Sequence, residues 1–135
     1  MNEVIIHSQS ISGDLMKLLI VDDNREIRDM LKIICSHLFV RILECDDGVS
    51  AVKIYNNEKP DWVLMDIKMK KMDGISATEK IISNYPDAKI IIVSQFNDRN
   101  FINSAKNSGA IEFVSKEDLT KIEEIIKKYL NNPDN

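Results

Sequence analysis

Four short apolar runs in this chain each end on a residue able to handle charge. Asp22 and Asp23 follow Leu18-Leu19-Ile20-Val21, and Asp66 follows Val63-Leu64-Met65. Ser94 closes Ile90-Ile91-Ile92-Val93, and Lys116 follows Glu112–Ser115. Three carboxylates brought together repel and raise one another's pKa unless a cation sits among them. A hard divalent ion such as Mg2+, or Mn2+ in its place, takes carboxylate oxygens and completes its octahedron with water. Lys116 offsets further charge and Ser94 offers a hydroxyl donor. Together these groups form the inventory of phosphoryl transfer: a carboxylate nucleophile, a metal, and cationic and hydroxyl groups for the phosphoryl oxygens. Taken singly, each has a plainer role, because an Asp after a strand commonly caps a helix, Ser94 suits a turn, and Lys116 suits the solvated start of a helix. The joint pattern favours the chemical reading, since four of the five strands that the chain predicts end this way.

Positioning such residues requires a particular set of elements. Apolar runs at Leu18–Val21, Val40–Glu44, Trp62–Met65, Lys89–Val93 and Glu112–Ser115 predict five strands. Helical spacing separates them: Ile27, Met30, Leu31, Ile34 and Leu38 form one stripe, and Ala51, Ile54 and Tyr55 a second. Ile75, Ala77, Ile81 and Ile82 form a third, Phe101, Ile102 and Ala105 a fourth ending near Gly109, and Leu119, Ile122, Ile125, Ile126, Tyr129 and Leu130 the clearest. Alternating strands and helices imply an α/β fold, a five-stranded parallel sheet covered by helices on both faces. Right-handed crossovers make the doubly wound, flavodoxin-like order 2-1-3-4-5 the foremost topology. That order makes the first, third, fourth and fifth strands neighbours, so the polar residues at their carboxyl ends converge on one rim, where such sheets bind ligands.

Composition limits the alternatives. With 135 residues, 44% hydrophobic, the chain suits one domain with a real core. The net charge of −4 argues against binding nucleic acid or an anionic membrane, and no apolar run approaches a membrane span. Cys35 and Cys45 lack CxxC spacing and His7 and His37 lack ligand spacing, which argues against a disulfide framework or a zinc site and for a reduced, cytoplasmic setting. Residues 1–15 have no place in the alternating pattern. Val4-Ile5-Ile6 has the composition of a short extra strand, but a loosely ordered tail is the expectation. The domain is expected over 16–131, with 132–135 a tail or the start of a linker.

Over residues 15–131 the chain resembles the receiver domain of two-component response regulators. The resemblance is carried by Leu18-Leu19-Ile20-Val21-Asp22-Asp23-Asn24, Pro60-Asp61-Trp62-Val63-Leu64-Met65-Asp66-Ile67-Lys68-Met69, Met72-Asp73-Gly74, Ile90-Ile91-Ile92-Val93-Ser94 and Phe113-Val114-Ser115-Lys116. It implies that Asp66 accepts a phosphoryl group from a sensor histidine kinase or a histidine phosphotransfer protein. It also implies that Asp23, Asp66 and the backbone carbonyl of Lys68 ligate Mg2+, with Asp22 acting mainly through water. Lys116 and Ser94 would contact the phosphoryl group, and Phe113 would turn inward as Ser94 moves, a switch biased by a new dianion. The implied readout face is the fourth helix, fifth strand and fifth helix, roughly Asn97–Leu130, and homodimerisation is compatible with it. Lys68, Gln95 and Phe96 stand where the family tunes phosphoryl lifetime. Lys70 replaces a common Pro, and Glu117 follows Lys116 where many members have Pro after a cis bond.

Other functions fit less well. A receiver cut from a DNA-binding transcriptional regulator would differ only by an output domain beyond Asn135, and a stand-alone receiver is preferred. A haloacid-dehalogenase-like aspartyl phosphatase would carry its nucleophile after the first strand in a DxD pair, which Asp66-Ile67-Lys68 lacks. A flavodoxin-like FMN carrier would find its phosphate repelled by Asp22-Asp23.

Overall fold

The computed structural model describes residues 2–5 and 16–132. Its strands are β1 (Asn2–Ile5), β2 (Lys17–Val21), β3 (Arg41–Cys45), β4 (Trp62–Met65), β5 (Ile90–Ser94) and β6 (Glu112–Ser115), and its helices α1 (Arg25–Cys35), α2 (Gly48–Glu58), α3 (Gly74–Asn84), α4 (Arg99–Asn107) and α5 (Thr120–Asn131). They form one sheet in the order β1-β3-β2-β4-β5-β6. The five strands β2 to β6 are parallel and lie in the expected 2-1-3-4-5 order.

The sixth strand corrects one expectation. Asn2–Ile5 is not a loose tail but pairs antiparallel with β3, Asn2 opposite Glu44 and Ile5 opposite Arg41. Without it β3 would be an edge with unpaired backbone groups, which this extended segment pairs along one side. Met1 and residues 6–15, the rest of that predicted tail, lie outside the described residues. The opposite edge of the sheet is β6.

Side chains alternate across the parallel strands, as a pleat requires. Leu18, Ile20, Trp62, Leu64, Ile91 and Val93 face α1 and α5, packing with Leu31, Cys35, Ile122 and Ile126. Leu19, Val21, Val63, Met65, Ile90 and Ile92 face the other three helices, packing with Ala51, Tyr55, Ala77, Ile81 and Ala105. Burial on both faces explains why these strands read as unbroken apolar runs. Trp62 meets Tyr129 edge-on, ring centroids 5.4 Å apart, tying α5 to the sheet. Four helices are capped by a preceding side chain: Asn24 for α1, Asp47 for α2, Asp73 for α3 and Asp98 for α4. None of Asp22, Asp23 and Asp66 serves as a cap, so the plainest reading of those carboxylates does not apply. The described peptide bonds are all trans, that between Lys116 and Glu117 included. No described helix is long and apolar enough to cross a membrane.

Cys35 and Cys45 are both free. Burial pushes each thiol up to about 12. Since the thiolate is the reactive form, a disulfide reagent at pH 8 is expected to label the native protein negligibly. In denaturant both thiols should react. Rapid labelling of the native protein, followed by absorbance, would contradict this burial.

Candidate functional site

The site is assembled at the carboxyl ends of β2, β4 and β6. The alternation that buries Leu18 and Ile20 towards α1 and α5 carries on to Asp22, and that of Trp62 and Leu64 carries on to Asp66. Val114 likewise leads to Lys116. The backbone fixes this convergence: Asp66 N–H donates to Val21 O at 2.8 Å, Asp22 N–H to Cys45 O at 3.2 Å, and Lys116 N–H to Ser94 O at 2.9 Å.

Asp22, Asp23 and Asp66 each place a carboxylate oxygen within 4.8 Å of the others. Asp22 and Asp66 are buried, while Asp23 is exposed. The Lys116 ammonium bridges the two buried acids, 2.8 Å from Asp22 Oδ2 and 3.3 Å from Asp66 Oδ1. Asp22 Oδ1 also accepts from Asn24 N–H at 2.9 Å, and Asp66 Oδ1 from Ile67 N–H at 2.9 Å. Asp66 Oδ2 has no protein partner among the described residues.

Burial pushes the Asp66 carboxyl up to about 6, helped by the Asp22 charge and opposed by Lys116 and the Ile67 amide. At Lys116 burial works against the ammonium, but its bonds and charge contacts with Asp22 and Asp66 outweigh it and hold the pKa above the usual lysine value. One ammonium among three carboxylates leaves the cluster short of positive charge. Its donors are all oxygen, the set a hard divalent cation takes, so the residues present fit such an ion.

Ser94 is buried and makes no hydrogen bond to the carboxylates or Lys116 among the described residues. It follows Ile90 and Ile92, which face the α2 to α4 side, and its Oγ accepts from Phe96 N–H at 3.0 Å. Phe113 is half-buried on that same side. Gln95 is exposed and Phe96 half-buried. Lys68 is exposed, with its ammonium 4.1 Å from the Phe96 ring centroid.

One contributor was not singled out from sequence. Glu44, only 3% exposed, takes Arg28 Nε and Lys32 Nζ, each at 2.7 Å. Arg28 also donates to the backbone carbonyl of Asp22 at 2.8 Å, so this buried ion triad braces the acidic loop from behind. The signal available was an acid inside an apolar strand with two cations one turn apart on the preceding helix.

A doubly wound sheet bearing paired acids, a third acid and a lysine at adjoining strand ends defines the receiver class of signalling domains. The chain belongs to the response regulator receiver domain family, whose model matches residues 18–128. It is 39% identical over 103 residues to the chemotaxis protein CheY of Listeria monocytogenes, covering 76% of this chain and 87% of that one. It is 31% identical over 115 residues to sporulation initiation phosphotransferase F of Bacillus subtilis, covering 84% and 93%. Among solved structures, a chain of the CheX–CheY–BeF3–Mg complex from Borrelia burgdorferi superposes with a TM-score of 0.77 at 29% identity, covering 88% and 92%.

Proposed function

We propose that this chain is a phosphorylation-controlled switch of a two-component phosphorelay, acting in the cytoplasm, with Asp66 as phosphoacceptor. The observation that carries this is the asymmetric carboxylate of Asp66: Oδ1 is fixed by Ile67 N–H and Lys116, while Oδ2 has no partner among the described residues. With its carboxyl at about 6, Asp66 is mostly ionised at neutral pH and serves as a nucleophile. Oδ2 would attack the phosphorus of a phosphohistidine on a sensor histidine kinase or phosphotransfer protein. The P–N bond breaks as the P–O bond forms, and the imidazole leaves with its electron pair and is protonated.

Asp22, Asp23, Asp66 and the backbone carbonyl of Lys68 would hold Mg2+ or Mn2+, which when bound neutralises charge developing on the phosphoryl oxygens. Lys116, 3.3 Å from Oδ1, would pair with one phosphoryl oxygen. Ser94 would give up the Phe96 amide to reach another, and Phe113 on the same side of the sheet would follow it. Output would pass through α4, β6 and α5. The only chemistry required of the chain is gaining and losing its own phosphoryl group.

Intact mass after incubation with Mg2+ and acetyl phosphate tests the reading. The wild type should gain one phosphoryl group, and Asp66→Asn, or the wild type with chelator, none. A folded wild type that gains no phosphoryl group and binds no beryllofluoride would overturn it.

A further inference from the structure

Lys68 joins two loops that lie far apart along the chain. Its ammonium lies 4.1 Å from the Phe96 ring centroid and 5.6 Å from that of Phe101, and the two rings are tilted at 35° with centroids 5.4 Å apart. Lys68 is exposed and makes no ion pair among the described residues, and the two aromatic faces are what its ammonium meets there. Phe96 belongs to the β5–α4 loop, tied by its amide to Ser94 Oγ, and Phe101 lies in the first turn of α4, where its amide is capped by Asp98. The acceptor loop and the start of α4 are thus linked through one exposed cation.

We propose that Lys68 is a positioning residue, a cation–π latch that holds the first turn of α4 against the acceptor loop and is released when a dianion forms at Asp66. The two states compete for one ammonium. An exposed aromatic face attracts a cation only weakly, whereas a phosphoryl dianion two residues away offers a charge-assisted contact. The ammonium therefore leaves the rings, and Phe96 and Phe101 lose their tie to the loop. Only such differential contact lets an event at Asp66 shift the state of α4. The release step rests on the proposed function, whereas the latch itself does not.

Hydrogen exchange over Phe96–Ala105 tests both parts separately. In the unliganded protein, Lys68→Met is expected to speed exchange there by about two- to fivefold, the range an exposed cation–π contact supports, with Lys68→Arg close to wild type. Phe101→Leu, which keeps apolar volume, should resemble Lys68→Met. Adding Mg2+ and beryllofluoride should speed exchange in the wild type and change Lys68→Met less. If unliganded Lys68→Met matches the wild type, the latch is wrong whatever the acceptor does. If a wild type that binds beryllofluoride shows no change over this segment, the release is wrong. A wild type that binds none would overturn the function and the release, while the unliganded comparison would still decide the latch.

Discussion

Gly74→Ala is expected to destabilise the protein by about 3 kcal/mol, at the upper end for overpacking a rigid interior. For a domain of this size that lowers Tm by roughly 10 °C. The cause is a collision with backbone, which cannot rotate aside. A Cβ on Gly74 would fall on the carbonyl oxygen of Asp66 and reach the Met65 side chain at 3.0 Å. Gly74 N–H also donates to Ile67 O at 2.7 Å, so the first turn of α3 is drawn tightly over the strand end that carries the acceptor. Relieving the clash must push α3 and Asp66 apart. Phosphoryl uptake from acetyl phosphate should therefore fall together with stability, even at a temperature where the variant is fully folded. Urea unfolding and intact mass check the two halves. A loss under about 1 kcal/mol with unchanged uptake would show that the loop gives way freely.

Glu44→Ala should cost a similar amount, about 3 kcal/mol, because removing the buried acid takes the carboxylate partner from Arg28 and leaves Lys32 only Asp29 at 3.0 Å. Arg28 and Lys32 retain 13% and 22% side-chain exposure, which lets them recover some hydration and keeps the loss at the lower end of that range. The effect has a pH signature. Burial raises the Glu44 carboxyl, but its bonds to Lys32 and Arg28 outweigh burial and hold it below the usual glutamate value of 4.5. A depressed carboxylate contributes stability that is complete above its unfolded pKa and is lost as pH falls through its folded one. Wild-type stability should therefore decline below pH 4.5 as Glu44 takes up its proton, and Glu44→Ala should show a flatter profile across that window. Parallel profiles for the two proteins, measured by urea unfolding, would remove Glu44 as the cause.

The buried parallel strands were legible because both of their faces are covered. Leu18–Val21 has no polar residue to interrupt the run, so the strand and the acids beyond it could be located together. Their flanks were less legible. Lys17 and Arg41 begin strands that an apolar reading starts or ends one residue away, and β3 extends to Cys45. Met30, counted in the α1 stripe, is 48% exposed, because it lies at the margin of a face centred on Leu31 and Cys35. β1 was passed over because a four-residue strand is recognised only by its partner, and antiparallel register to β3 is a long-range fact.

In the site, the carboxylates and Lys116 could be placed from sequence because each directly follows a strand. Ser94 was placed with them by the same rule, and in the structure its Oγ accepts from Phe96 N–H, a loop contact that the strand alone does not specify. Lys68 and Phe96 were each singled out, but their contact, and the part of Phe101 in it, depends on how two loops fold over the rim.

The amino-terminal strand also governs how copies of this chain can meet. A sheet with two bare margins can be extended by identical copies without limit, each newcomer offering a fresh margin to the next. Here the two margins are β1 and β6, each four residues long, β6 with the exposed charge of Glu112. Copies that met through β6 alone would pair those two edges with each other and form a closed pair. A contact of β6 with the β1 edge of the next copy would instead leave one edge of each kind free and propagate.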